Sequence, residues 1–302
     1  MGYLIAVSLV WAFSFGLIKT ILTGLDPGFV AWARMLVALP LFLPWLRARG
    51  LGPRLIAGLL AIGAVQYGLM YMLYIAAYQR LSAHEVALLT VFTPIYVALV
   101  HDALARRVAP RTIALALLAA LGAGVIESGD VALDPVDARA RWVGVLLVQA
   151  ANLCFAAGQV LYRALRRRRA ELEDHRVFAL LYLGALLVTS VGTTLRGGWS
   201  SAAALSGEQL TALLYLGAVA SGLCFFAWNK GAVTVSPATL AVFNNLKVPL
   251  AVAAALLVFG EQADVGRLLV GGALLVVAAA GALSEKPATR APADEQGRKD
   301  YS

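Results

Sequence analysis

Apolar residues run along this chain in long uninterrupted blocks, with neither the one-sided stripe of a surface helix nor the alternation of a half-buried strand. A window of about 19 residues marks blocks near 3–22, 29–46, 55–79, 83–104, 111–126, 142–163, 176–195, 210–229, 237–259 and 265–283. A helix needs about 20 mostly apolar residues to cross the roughly 30 Å hydrocarbon layer, so each block predicts one transmembrane span. Turn chemistry marks the breaks: Asp26-Pro27-Gly28, Gly50 through Pro53, Ala109-Pro110, Asp134-Pro135, Arg196-Gly197-Gly198 and Ser236-Pro237. The expected fold is an all-α integral membrane protein of about ten helices.

Composition agrees with this pattern. Of 302 residues, 61% are hydrophobic and 14% charged, and mean hydropathy is +0.79, whereas a soluble domain carries about 25% charged residues. The net charge of +8 does not point to nucleic acid, because the basic residues sit between apolar spans and not on one soluble face. With the N-terminus inside, seventeen Lys and Arg fall on inner loops and six on outer ones; Arg34 and Lys247, inside spans, complete the 25. That bias predicts cytoplasmic termini. Residues from Tyr3 to Ile18 lack a basic leader and cleavage site, so an uncleaved first helix is expected. Cys154 and Cys224 read as reduced thiols within spans.

Two halves are expected. Gly2, Leu4, Phe13 and Gly16 match Gly144, Leu146, Phe155 and Gly158 at one offset, and Gly68, Leu69 and Ser82 match Gly222, Leu223 and Ser236 at another. Five spans per half is an odd number, so the second copy enters the membrane upside down, a plan that places a binding site between the halves. The layout is a first repeat at 1–126, an acidic outer connector at 127–141, a second repeat at 142–283 and a disordered cytoplasmic tail at 284–302.

The motifs Trp11-Ala12-Phe13-Ser14-Phe15 with Lys19, Asp26-Pro27 with Arg34, Pro94 and Pro249 in spans four and nine, and Phe259-Gly260-Glu261 resemble the drug/metabolite transporter superfamily, in its ten-helix members with two EamA-type repeats. Ala12 and Ser14 depart from that pattern, and Arg106 stands in the first-half position of Glu261. The resemblance implies an inner-membrane carrier with a central cavity, often an exporter of amino acids or related metabolites.

Lys247, in the middle of span nine, is the sharpest candidate. An ammonium there costs about 2.5–3.5 kcal/mol on insertion scales, so it needs a partner or a wet cavity. Asn244 lies one turn before it on the same face, and Pro249 frees a carbonyl near Asn245. Lys247 either meets an anionic substrate group or changes protonation, or it is a structural amine. Tyr67, Tyr71, Tyr74 and Tyr78 form one helical stripe in span three. Tyr71 and Tyr74, with Trp228 and Trp11, are candidates to line a cavity, packing being the alternative and an interfacial belt the alternative for Tyr78. Gln66, Gln149 and Asn152 are uncharged polar groups in apolar spans and join the candidate list, with interhelical hydrogen bonds as their other role. Arg34 reads as a snorkelling or ion-paired residue that the family resemblance keeps as a substrate candidate. His84 and Glu85, at the outer start of span four, are candidates for a proton-sensitive pair, a surface pair at a helix start being the equal alternative.

No HExxH, GxSxG or P-loop is present, so catalysis, metal and cofactor are not expected. The expectation is a secondary transporter exporting an amino acid or related metabolite by alternating access, monomeric or homodimeric in the lipid bilayer. A channel and an intramembrane enzyme acting on a lipid are the alternatives.

Overall fold

The structure, a computed structural model, describes residues 2–106, 110, 114, 117–118, 121–122, 125, 135–235 and 237–283. Most of the fifth predicted span, residues 127–134 of the connector and the whole tail lie outside the described residues. The other nine blocks are helical. Span one is Gly2–Leu22, span three Pro53–Ala77, span four Ala83–Leu104 and span seven Asp174–Leu195. Span eight is Gly207–Thr234, span nine Pro237–Leu257 and span ten Val265–Leu283. The protein is an all-α membrane protein. Among the described residues, seven helices are long and apolar enough to cross a bilayer by themselves.

Two boundaries differ from expectation, each for a local reason. Span two is a short helix, Pro27–Ala38, continued by tight turns Leu39–Leu41 and Leu43–Trp45. Pro40 and Pro44 remove the backbone donors a regular helix would need there. The helix of span six runs from Pro135 to Arg168, so the end of the expected connector is helical. Pro is preorganised for the first helical position, and Arg166 to Arg168 suit the negative C-terminal end of the helix. A hydropathy window registers only the apolar middle of such a helix.

The packing repeats under exchange of the halves. Span one packs on span nine as span six packs on span four, and span two packs on span eight as span seven packs on span three. Spans two and seven touch one another, as do four and nine. This is the contact pattern of an inverted repeat. The backbone carries the same relation. Span three contains a π-helical stretch at Ala64–Leu69 and span eight one at Leu216–Leu223, and these coincide in the register that pairs Gly68 with Gly222. That register also sets Arg106 opposite Gly260, and both have left-handed backbone, with φ of 52° and 67°. The two left-handed residues fall together in this register, whereas the pairing of Pro94 with Pro249, one residue out, sets Arg106 opposite Glu261.

Glycines permit the closest crossings. A Cβ on Gly63 would fall on the Leu181 backbone, and one on Gly184 would fall on the backbone of Leu60. Spans three and seven thus meet backbone to backbone, as small residues allow in membranes. Gly58, on the same helix as Gly63, has open space around it. Gly63→Ala is expected to destabilise the protein by about 1–3 kcal/mol through overpacking, whereas Gly58→Ala is expected to be neutral or stabilising by up to about 1 kcal/mol. Thermal unfolding of the two purified variants checks the pair.

Candidate functional site

Between the halves lies a cavity walled by aromatic side chains from spans one, three, six and eight: Trp11, Phe15, Tyr71, Tyr74, Tyr78, Phe155 and Phe225. Trp11 is the hub of its floor. Its ring meets Phe225 and Trp228 with centroids 5.1 Å away in both cases, and its Nε1 donates to the Ala220 carbonyl at 2.9 Å. Trp228 backs it and donates through Nε1 to Gln159 Oε1 at 2.9 Å. These two indoles supply apolar area while their N–H groups stay satisfied.

Two cations reach this cavity, and no Asp or Glu is among the described residues that line it. Lys247 is buried, donates to Asn244 Oδ1 at 3.0 Å, and its Nζ lies 5.2 Å from the centre of the Trp11 ring, within cation–π range. Arg34 is 1% exposed. Its Nε donates to Ser221 Oγ at 3.0 Å and its Nη2 to the Tyr71 hydroxyl at 2.6 Å. Polar neutral groups complete the wall. Asn152 donates to the Leu89 carbonyl at 2.9 Å, and Thr93 Oγ1 approaches Asn152 Oδ1 at 3.4 Å. In the register that pairs Gly68 with Gly222, Thr93 falls opposite Lys247, so one half offers a hydroxyl where the other offers an amine.

One end of the bundle is tied shut across the halves. Glu261, just after span nine, accepts the backbone N–H of Ala83 at 2.7 Å and of His84 at 3.0 Å, and its Oε2 is 2.7 Å from His84 Nδ1. A carboxylate there suits the positive N-terminal end of span four. Beside it, Ser82 and Glu85 form a capping box, and Arg141 pairs with Glu85. Lys19 Nζ donates to the Tyr78 carbonyl at 2.7 Å, and the Phe259 ring sits against Gly16 and Phe13.

The family model for the EamA-like transporter family matches residues 1–127 and again 142–284. The chain belongs to the EamA-like transporter family. Among its relatives, a probable biotin transporter of Pseudomonas aeruginosa is 41% identical over 279 residues, covering 91% of this chain and 95% of that protein. A biotin transporter of Salmonella typhimurium is 38% identical, covering 91% and 90%, and one of Escherichia coli K12 is 37% identical, covering 92% and 91%. A crystal structure matches with a TM-score of 0.63 at 22% identity, covering 93% of this chain and 97% of that one, a likeness of fold alone. The protein is a multi-pass membrane transporter of the EamA type.

Within this EamA fold, Lys247, Trp11, Tyr71, Tyr74, Asn152 and Arg34 come together on the cavity. Asn244 and Asn245 lie behind Lys247, linked to each other at 3.3 Å. Gln149 is half-buried and meets Asn152 at 3.4 Å. Gln66 is not in the wall: its Nε2 bonds Asn229 Oδ1 at 3.0 Å, and Asn229 donates to Tyr67 at 2.7 Å, an interhelical network of spans three and eight. Trp228 supports the wall from behind. Arg34 does not snorkel, because Ser221 and Tyr71 hold it inside the bundle. Tyr78, fully buried beside the cavity, belongs to no interfacial belt. His84 and Glu85 do not pair with each other. Neighbours on a helix point apart, and His84 turns to Glu261 while Glu85 turns to Arg141. Ser221, Thr90 and Thr93 were no part of the sequence expectation, and Ser14 entered it only as a departure from the family motif, since single hydroxyls in apolar spans carry no pattern.

Burial, the largest influence on Glu261, pushes its carboxyl up, but hydrogen bonds from the His84 ring and from the N–H groups of Ala83 and His84 outweigh it and leave the group below the usual carboxylate range. A carboxyl lowered by folding adds stability that is complete above its unfolded value of about 4.3 and is lost as pH falls through the lower folded value. Wild type is therefore expected to melt above Glu261→Gln near pH 5, where the carboxyl is ionised, by a margin that shrinks as pH falls below about pH 4. A margin unchanged between about pH 5 and about pH 2 would contradict this contact.

Proposed function

We propose that this transporter carries biotin, or a closely similar monocarboxylate, through the cavity between its halves by alternating access. The observation that carries this reading is the pair of buried cations, Arg34 and Lys247, in an aromatic cavity whose described lining holds no carboxylate. Biotin combines one carboxylate, an apolar ring body and a ureido group with both donors and an acceptor. The cations suit the first, the rings the second, and Asn152, Thr93 and Ser14 the third. The names of relatives at 37–41% identity agree. An amino acid fits less well, because its ammonium group would meet two positive charges and no acid. The positive-inside bias supports cytoplasmic termini, and in that orientation the end tied by Glu261 faces outward.

Counterflow in proteoliposomes tests the substrate. Unlabelled biotin inside the vesicles is expected to drive entry of labelled biotin, and internal leucine or phenylalanine is expected to drive none. Exchange of amino acids without exchange of biotin would sink the reading.

A further inference from the structure

The two cations of the cavity are not equivalent, and the direction of the hydrogen bonds around them separates their roles. A guanidinium only donates and keeps its charge, whereas a lysine amine loses its proton readily when desolvated. Arg34 gives Nε–H to Ser221 and Nη2–H to Tyr71. Having accepted from Arg34, Ser221 passes its own proton to the Tyr71 oxygen at 3.3 Å. The Tyr71 oxygen has then accepted twice, and its own O–H is left to donate. Tyr182 donates its own proton to the carbonyls of Ser221 and Gly222 at 2.6 and 3.1 Å, and among the described residues no hydrogen bond joins its hydroxyl to that of Tyr71. Arg34 Nη1 is also buried with no protein acceptor. Both Arg34 and Tyr71 line the cavity.

The hydroxyls on other walls have the opposite polarity. Ser14 donates to the Val10 carbonyl at 2.7 Å, Thr90 to Ala87 at 2.7 Å and Thr93 to Thr90 at 2.8 Å. With their protons committed to helix carbonyls, they turn lone pairs to the cavity. Lys247 gives one of its three N–H groups to the Asn244 oxygen and lies near the Trp11 face.

We propose that Arg34 and Tyr71 form the carboxylate subsite, gripping one anionic oxygen or two with the Nη1–H and the phenolic O–H. The lone pairs of Ser14, Thr90 and Thr93 take N–H groups at the other end of the ligand. This rests on the cavity being the carrier's substrate site, and it fixes which end of a monocarboxylate points where.

Equilibrium binding of biotin and of its neutral carboxamide, measured on detergent-purified protein, reads the subsite through their ratio. Wild type is expected to prefer the acid by about tenfold or more, the worth of a charge-assisted hydrogen bond. Arg34→Gln is expected to bring acid and amide within about twofold of each other. Lys247→Met weakens both alike and keeps their ratio. A ratio that survives Arg34→Gln, or that collapses in Lys247→Met instead, overturns the assignment. Should Arg34→Gln fail to fold, Tyr71→Phe decides: a ratio reduced about threefold or more supports the subsite and an unchanged ratio overturns it. If wild type takes another monocarboxylate but not biotin, the substrate reading fails, and the subsite is judged with that acid and its amide. Equal binding of acid and amide by wild type, or binding of no acid, overturns the subsite.

Discussion

A permanent positive charge buried with no carboxylate among the described residues around it is the constraint on which this cavity is built. Removing an ion from water costs several kcal/mol even after relaxation, and a membrane helix bundle offers little to offset it. Arg34 is held by neutral oxygens on two other spans, Ser221 of span eight and Tyr71 of span three, and by its guanidinium lying 4.0 Å from the centre of the Tyr71 ring. Lys247 has one amide oxygen and one indole face. These contacts satisfy some of the donors but not the charge. An internal ion pair would have satisfied both, and would have closed the cavity to an anion.

The backbone supplies what that arrangement needs. A π-helical stretch disturbs the regular hydrogen-bond ladder and leaves carbonyls open to other donors. In span eight the carbonyls of Ala220, Ser221 and Gly222 receive the Trp11 indole and the Tyr182 hydroxyl. One irregular stretch therefore anchors the floor of the cavity, fixes the ring behind it and presents the Ser221 hydroxyl to Arg34. Its counterpart in span three places Gln66 and Tyr67 against Asn229. Gly217 and Gly222 bring this part of span eight against Val37 and Leu41 of span two, close enough for Ser221 to reach Arg34.

Hydropathy made the spans legible because bilayer thickness imposes one length on every helix that crosses it. It read less well where two prolines shorten span two and where span six extends beyond its apolar middle. The link between Lys247 and Asn244 was legible because residues three apart share a helix face. Arg34 was not, since its depth along the chain resembles a snorkelling position and its partners lie on spans distant in sequence. The pairing of His84 with Glu261 joins residues 177 apart, and no local pattern encodes it. Hydroxyls such as Ser14 and Thr93 take meaning only from where their protons go.

Inverted repeats duplicate a scaffold, and the chemistry here lies where the copies differ. Thr93 and Lys247 fall opposite one another in the register that pairs Gly68 with Gly222, and a hydroxyl and an ammonium cannot contribute alike to a shared site. Arg106 and Gly260 share the left-handed turn that ends their helices, but the next residues are Arg107 and Glu261. A carboxylate after that turn is attracted to the exposed N–H groups at the start of a neighbouring helix, as Glu261 is to Ala83 and His84. An arginine there would meet like polarity. The first repeat, with arginines at both positions, does not carry in its sequence the carboxylate that ties this end of the bundle.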